Sequence, residues 1–514
     1  MFKITYYEKL IQEKRKKTPF REFVKEIASW NVVNIYKRNG QISRYPETAR
    51  SPLVGEKFWE NSIDYIGNFE KDFFDSFIEL FNKVPFQNLM DFWNNENCSY
   101  ADAVFWWAKN TYLSFVVWYN AENIAYSAYC YTNIKDIYNG FLCSIDNTNI
   151  YMSGGITWSS NIYYSKYISH SADIWFSTNM IWCQECILCD RLENQKYCIR
   201  NKQYSKEEYM EKKGELMMRK NLFATLHQSI VSNAPDNIGS ENITGDYILK
   251  SHDVENGLWS IKIHNSRNVV ISNWWDISEH FYDAVDTGID SDHLYGICAW
   301  WNKSHHLYCS SQIDTGSYIY YSFFIANCHH CLGCIWLKNK SYCILNKQYT
   351  KEEWEEKACD IFASMEADGT LGDFFPASMN PFYFNDTLAY LIDDSFTKEE
   401  VEADGYLWRD EPIRADIPEG MKVVKNTELE KYQGFRTRHP EWSEGSKSMD
   451  SSYSQNDETT EWYIDPEVMN VVISDETWNY YRIVKMEYEF LMKHALPLPT
   501  MHWLDRMKMG FQMR

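Results

Sequence analysis

Along the first half of the chain a polar residue followed by apolar or aromatic ones recurs at Asn123-Ile124, Asp136-Ile137-Tyr138, Asn149-Ile150-Tyr151, Asn161-Ile162-Tyr163, Asp173-Ile174-Trp175 and Glu185-Cys186-Ile187. The steps are 13, 13, 12, 12 and 12 residues. A second series runs Asn268-Val269-Val270, His280-Phe281-Tyr282, His293-Leu294-Tyr295, His306-Leu307-Tyr308, Tyr318-Ile319-Tyr320 and His330-Cys331-Leu332. Shifted by 145 residues, the two series coincide to within one position. A unit this short cannot hold a helical hairpin. Its Tyr, Ile, Val and Trp content, broken by Asn, Ser, Gly and Asp, favours short strands joined by turns. Antiparallel hairpins would need tight two-residue turn signals, which are mostly missing. Stacked parallel strands fit better, and six repeats at about 4.8 Å each would build a column of roughly 30 Å. The spacing leaves open whether one repeat is a whole small coil or half of a larger one.

Each series ends in the same sentence. Over 27 paired positions, Cys183–Tyr209 and Cys328–Trp354 share 15 identities, including Asn201-Lys202-Gln203-Tyr204 against Asn346-Lys347-Gln348-Tyr349. The period then changes. Ser205 and Thr350 can cap helices, with Glu208 and Glu353 three residues on completing capping boxes. A solenoid leaves an open sheet edge at its end, so a covering helix is the expected lid. The fold class expected is therefore mainly β with capping helices: two tandem parallel β-solenoid repeats plus helical terminal segments. The expected division is 1–110, mostly helical; 111–215, first solenoid and cap; 216–365, linker, second solenoid and cap; 366–443, irregular; 444–461, a polar serine-rich linker; and 462–514, a helical end. Within the last, Glu487, Phe490, Leu491 and Met492 fall on a helix that stops before Pro497.

These blocks resemble an uncharacterised family abundant in bacteria with reduced genomes, in which two cysteine-rich β-solenoid-like halves each close in a block of this kind. The segments 372–389 and 396–410 are similar to the part that follows the second solenoid in that family, and 481–506 is similar to its carboxy-terminal zinc ribbon. Ile35-Tyr36-Lys37-Arg38 and Glu60 to Val84 are fainter matches to its amino-terminal zinc module and first linker. The resemblance implies an architecture and no particular chemistry. At the ribbon's ligand positions stand Ser474, Thr477, His502 and Asp505, a poor zinc set because hydroxyls are weak ligands. No cysteine precedes Cys98, so the resemblance implies terminal zinc modules that have lost their metal.

Composition narrows the function. The chain has 514 residues, 45% of them hydrophobic, which is enough for substantial cores. With 51 basic against 72 acidic residues the formal charge is −21, which repels phosphate backbones and argues against nucleic acid as a partner. The one dense basic run, Lys14-Arg15-Lys16-Lys17 with Arg21, reads as a solvated helix face. No apolar window suits a signal peptide or a membrane span, so a cytoplasmic location, or one inside an assembled particle, is expected. Fourteen cysteines in such a chain read as free thiols or ligands rather than a disulfide framework.

Three sets of residues could carry chemistry. Cys183, Cys186, Cys189 and Cys198, and their counterparts Cys328, Cys331, Cys334 and Cys343, have a spacing that can converge on zinc. The competing reading is a column of small buried side chains, and no cofactor is expected. His280, His293 and His306, with Tyr318 and His330, share one repeat position and could stack as a ladder that takes a soft metal or senses pH. The first half carries Asp136, Asn149, Asn161 and Glu185 there, which favours turn residues bonding nearby backbone. Asp283, Asp286, Asp290 and Asp292 suggest the paired carboxylates of a polysaccharide-cleaving β-helix. No phosphate loop, nucleophile elbow or HExxH motif is present. The function expected is a non-enzymatic scaffold whose Tyr- and Trp-rich faces contact other proteins or copies of itself, as in a particle, shell or virion. The alternatives are a polysaccharide-acting enzyme and a nucleic-acid-associated derivative of a zinc ribbon.

Overall fold

The computed structural model describes residues 2–511 except 29–32, 39–40, 50–51, 55–63, 70–71, 93, 219–236, 238, 273–277, 288–290, 299–302, 412–416, 418 and 438–459. Two parallel β-solenoids form its centre. In the first, one strand column runs in unbroken order as a 10-stranded sheet and the opposite wall as a 9-stranded sheet; the second forms a 12-stranded sheet. Neighbouring rungs pair in register, for example Ile150 with Ile162 and Ile162 with Ile174.

One repeat is one whole coil. Asn161, Tyr164, Tyr167 and His170 have φ of 57°, 52°, 57° and 49°, and the next coil repeats this at Asp173, Phe176, Asn179 and Trp182. The residue after each of these positions, Ile162, Ser165, Ile168 and Ser171, is buried. The coil is thus four-sided, with three residues to a side and a left-handed residue at every corner. That conformation costs a non-glycine residue about 1–2 kcal/mol, and Asn, Asp and His tolerate it best. This explains why the recurring polar residue is mostly one of those three, Glu185 and Tyr318 being exceptions.

Two kinds of column fill the interior. Ile124, Ile137, Ile150, Ile162 and Ile174 form one, facing Ile156 and Ile168, all fully buried. Serines form the other and satisfy the backbone between rungs. Ser165 Oγ donates to the Tyr163 carbonyl at 2.9 Å and accepts the Ser177 N–H at 3.1 Å. Ser153 and Ser177 repeat both bonds.

Both lids are present. Strands Lys202–Gln203 and Lys347–Gln348 fold back antiparallel on the last rungs, and helices Lys206–Met217 and Lys351–Asp368 follow, each with a complete capping box. Tyr209 and Trp354 are fully buried under them, and Trp354 Nε1 donates to the Cys343 carbonyl at 3.1 Å.

The solenoids lie side by side and run in opposite directions. Tyr131 meets Asp286, Phe141 meets Trp259 and Tyr167 meets Asp246 and Tyr247, so position rises along one as it falls along the other. Each is longer than the six repeats seen in the sequence. Strands Glu96–Ser99 and Lys109–Tyr112 already belong to the first column, the former within the stretch assigned to a mostly helical region and the latter across its end. Strands Glu241–Leu249 and His252–Ile261 open the second. Asn97, Asn110, Asn242 and Asp253 keep the left-handed corner there, and it is the apolar half of the repeat that fades.

The chain ends cross over. Helix Phe2–Arg15 lies on the second solenoid, with Glu8 accepting from Tyr320 at 2.6 Å and Gln12 donating to Tyr308 at 3.3 Å. Helices Lys485–Lys493 and Trp503–Phe511 lie on the first, where Phe490 stacks on Tyr138 at 4.4 Å and Trp503 on Tyr126 at 6.1 Å. Residues 366–443 contain short helices at Leu388–Ile392 and Lys398–Ala403. Strand Lys422–Lys425 pairs with Val471–Ser474, and Gln433–Thr437 with Thr460–Ile464, so regular pairing joins the two sides of the polar stretch. The stretch itself, 444–459, lies outside the described residues.

Candidate functional site

The structure separates Asp283, Asp286 and Asp292. Asp283 is fully buried, 2.7 Å from Arg15 Nε and bonded by Asn268. Asp286 sits between the solenoids, accepting from Tyr131 at 3.3 Å, and burial pushes its carboxyl up to about 7. Asp290 lies outside the described residues. Asp292 is on the outer face. Asp283 and Asp286 occupy successive left-handed corners, so they belong to different sides of the coil, and the first is committed to an ion pair. Sequence proximity suggested a cluster because it ignores the turn between them.

The eight block cysteines stand in the interior columns. Cys183 and Cys189 continue the serine columns: each backbone N–H bonds the serine one rung back, Ser171 at 2.9 Å and Ser177 at 3.0 Å. Their thiols donate, as serine does, to the carbonyls two residues back, Ile181 and Ile187. Cys186 and Cys198 continue the isoleucine column. In the second half Cys331 is hydrogen-bonded by Cys328, Cys334 and Cys343, which holds its thiol far above the usual range, while the bond from Cys331 lowers Cys328 and Cys343. In the first, the bond from Cys186 lowers Cys183 to about 7 and also lowers Cys189. In each quartet every thiol donates to the backbone carbonyl two residues back.

The imidazoles do stack. Ring centroids lie 4.8 Å apart from His280 to His293, His293 to His306, His306 to Tyr318 and Tyr318 to His330, then 5.1 Å to Tyr342. All six residues are left-handed corners. In the first half the same column is a ladder of amide bonds, Asn97 to Asn110 to Asn123 to Asp136 at 2.8, 2.9 and 2.7 Å. Both are turn positions, as expected, but their side chains reach the next rung rather than nearby backbone.

The segment resembling a zinc ribbon is organised by a carboxylate. Asp475 accepts from the N–H groups of Thr477, Asn479 and His502 and from the Thr477 hydroxyl. His502 is buried and its Nδ1 faces the Leu504 N–H at 3.3 Å. Helix Lys485–Lys493 forms as expected, and Glu487 pairs with Arg506 at 2.7 Å in its buried face.

The tyrosine columns are occupied from within. Tyr138, Tyr151 and Tyr163 pack under Phe490 and His494, and Tyr308 and Tyr320 under the amino-terminal helix. The expectation that tyrosine-rich faces meet other proteins is corrected for these columns, since the terminal helices already bury them. What stays open is a different edge of the first solenoid, where Trp158, His170 and Trp182 stack at 4.7 and 4.1 Å. Trp158 is 43% and Trp182 55% exposed.

The fold defines a paired, capped parallel β-solenoid protein. No family model, curated protein or solved structure matches the chain. No described helix is long and apolar enough to cross a membrane.

Proposed function

We propose that the protein is a non-enzymatic scaffold, a rigid double solenoid that packs against other proteins or copies of itself in a larger assembly. The observation that carries this is the exposed Trp158-His170-Trp182 stack on the first solenoid, left open where the terminal helices cover the Tyr138-Tyr151-Tyr163 column. Large flat side chains held at fixed spacing on a rigid backbone suit protein contacts, because little conformational freedom is lost on binding. The net charge of −21 disfavours a nucleic-acid partner, and among the described residues Asp283, Asp286 and Asp292 share no site that would favour the polysaccharide reading.

Native mass and light scattering at micromolar concentration test the self-assembly arm, and capture by purified assembly partners the other. Trp158→Ala with Trp182→Ala is expected to weaken whichever association is found. A stable monomer that binds no partner, or an assembly indifferent to both substitutions, counts against the proposal.

A further inference from the structure

Parallel in-register pairing sets Asp292 beside His305, so the dipeptide Asp292-His293 lies directly against His305-His306. Only at this pair of rungs in the column do a carboxylate and three imidazoles meet: the rung before carries Glu279-His280 and the rung after Ser317-Tyr318. Among the described residues, Asp292, His293 and His306 form the one group of three potential ligands whose donor atoms all lie within 4.8 Å of one another.

We propose that Asp292, His293 and His306 bind a divalent transition-metal ion of the zinc class on the outer face of the second solenoid. A carboxylate with two imidazoles is a nitrogen and oxygen set that suits Zn²⁺, Ni²⁺ or Cu²⁺ rather than the soft ions preferred by thiolates or the hard ions preferred by oxygen alone. Three protein ligands leave a fourth position for water. All three side chains are partly exposed, which gives an ion access.

His305 is the positioning residue. Its Nδ1 lies 2.9 Å from the Asp292 carboxylate and fixes that group toward the imidazole column, as outer-shell partners do for metal ligands. His293 Nδ1 is 3.3 Å from the same oxygen. Glu279, His280 and Lys16 complete the charged surroundings.

The ligands must close in. Arms of about 2.0–2.1 Å place tetrahedral ligand atoms roughly 3.3 Å apart, less than the 4.8 Å limit of this group. Tilting two partly exposed imidazoles out of the stack supplies the difference while the backbone rungs stay fixed.

The test uses the full chain, cleared of metal with chelator and titrated with Zn²⁺ by calorimetry and with Co²⁺ by absorption spectroscopy. The expected result is an equivalent of zinc that is lost, or weakened about tenfold or more, in both His306→Ala and Asp292→Asn. His305→Ala should weaken it less. The matching cobalt equivalent should lack thiolate charge-transfer absorption, which distinguishes it from any ion in the cysteine quartets. Circular dichroism confirms that each surface variant is folded, and Asp292→Asn, nearly isosteric, serves if His306→Ala is not. A chain that takes up no zinc, a titration unmoved by these substitutions, or thiolate absorption for the same equivalent overturns the proposal.

Discussion

Replacing Asp286 by asparagine should stabilise the protein, and increasingly so as pH rises. The carboxyl is 8% exposed between the two solenoids and has one hydrogen bond, from Tyr131. Desolvation moves it from an ordinary 3.8 to about 7. An acid raised in the folded state holds a proton that the unfolded chain releases. Its neutral form therefore costs nothing below the unfolded value, and stability is lost progressively as pH rises from about 4 to about 7. At 1.36 kcal/mol per unit the full loss is roughly 4 kcal/mol, an upper limit because any water reaching the interface reduces it. Asparagine keeps an acceptor for Tyr131 and cannot ionise. Urea unfolding followed by tryptophan fluorescence should show the variant gaining on the wild type by roughly 3 kcal/mol between pH 5 and pH 8. All other titrating groups are common to both chains and cancel in the difference. A difference that is flat with pH, or one that favours the wild type at pH 8, would refute the burial argument.

Removing the second lid's anchor with Trp354→Ala should lower stability by about 3–5 kcal/mol and promote association through the uncovered rung, read by urea midpoint and light scattering; an unchanged midpoint would show that the helix does not hold the edge. Ser165→Ala strands the Ser177 N–H inside the coil and should cost about 1–3 kcal/mol. Ser165→Cys should cost less, since Cys189 already accepts from the Asn201 N–H at 3.4 Å; equal losses in the two variants would sink the equivalence of thiol and hydroxyl columns. Arg15→Met leaves Asp283 buried without its cation and should cost about 3–5 kcal/mol, detectable as loosened protection of the amino-terminal helix in hydrogen exchange.

The repeat of 12 or 13 residues by itself determined the parallel stack, the closing rungs and the lids, because each depends on residues one coil apart or on a local cap such as Ser205 with Glu208. One of the four corners of each coil was legible for the same reason, since Asn, Asp and His recur there, while corners such as Tyr164, Tyr167, Phe176 and Trp182 carry no such signal. Tertiary structure decided the rest. Arg15 reaches Asp283, Phe490 covers Tyr138 and Tyr131 caps Asp286 across separations that no short period records. Such contacts set which aromatic columns are covered, which aspartate keeps its proton and where imidazoles gather. They follow from how two finished columns and two chain ends pack, a choice made by shape and burial over the whole surface rather than by spacing along the chain.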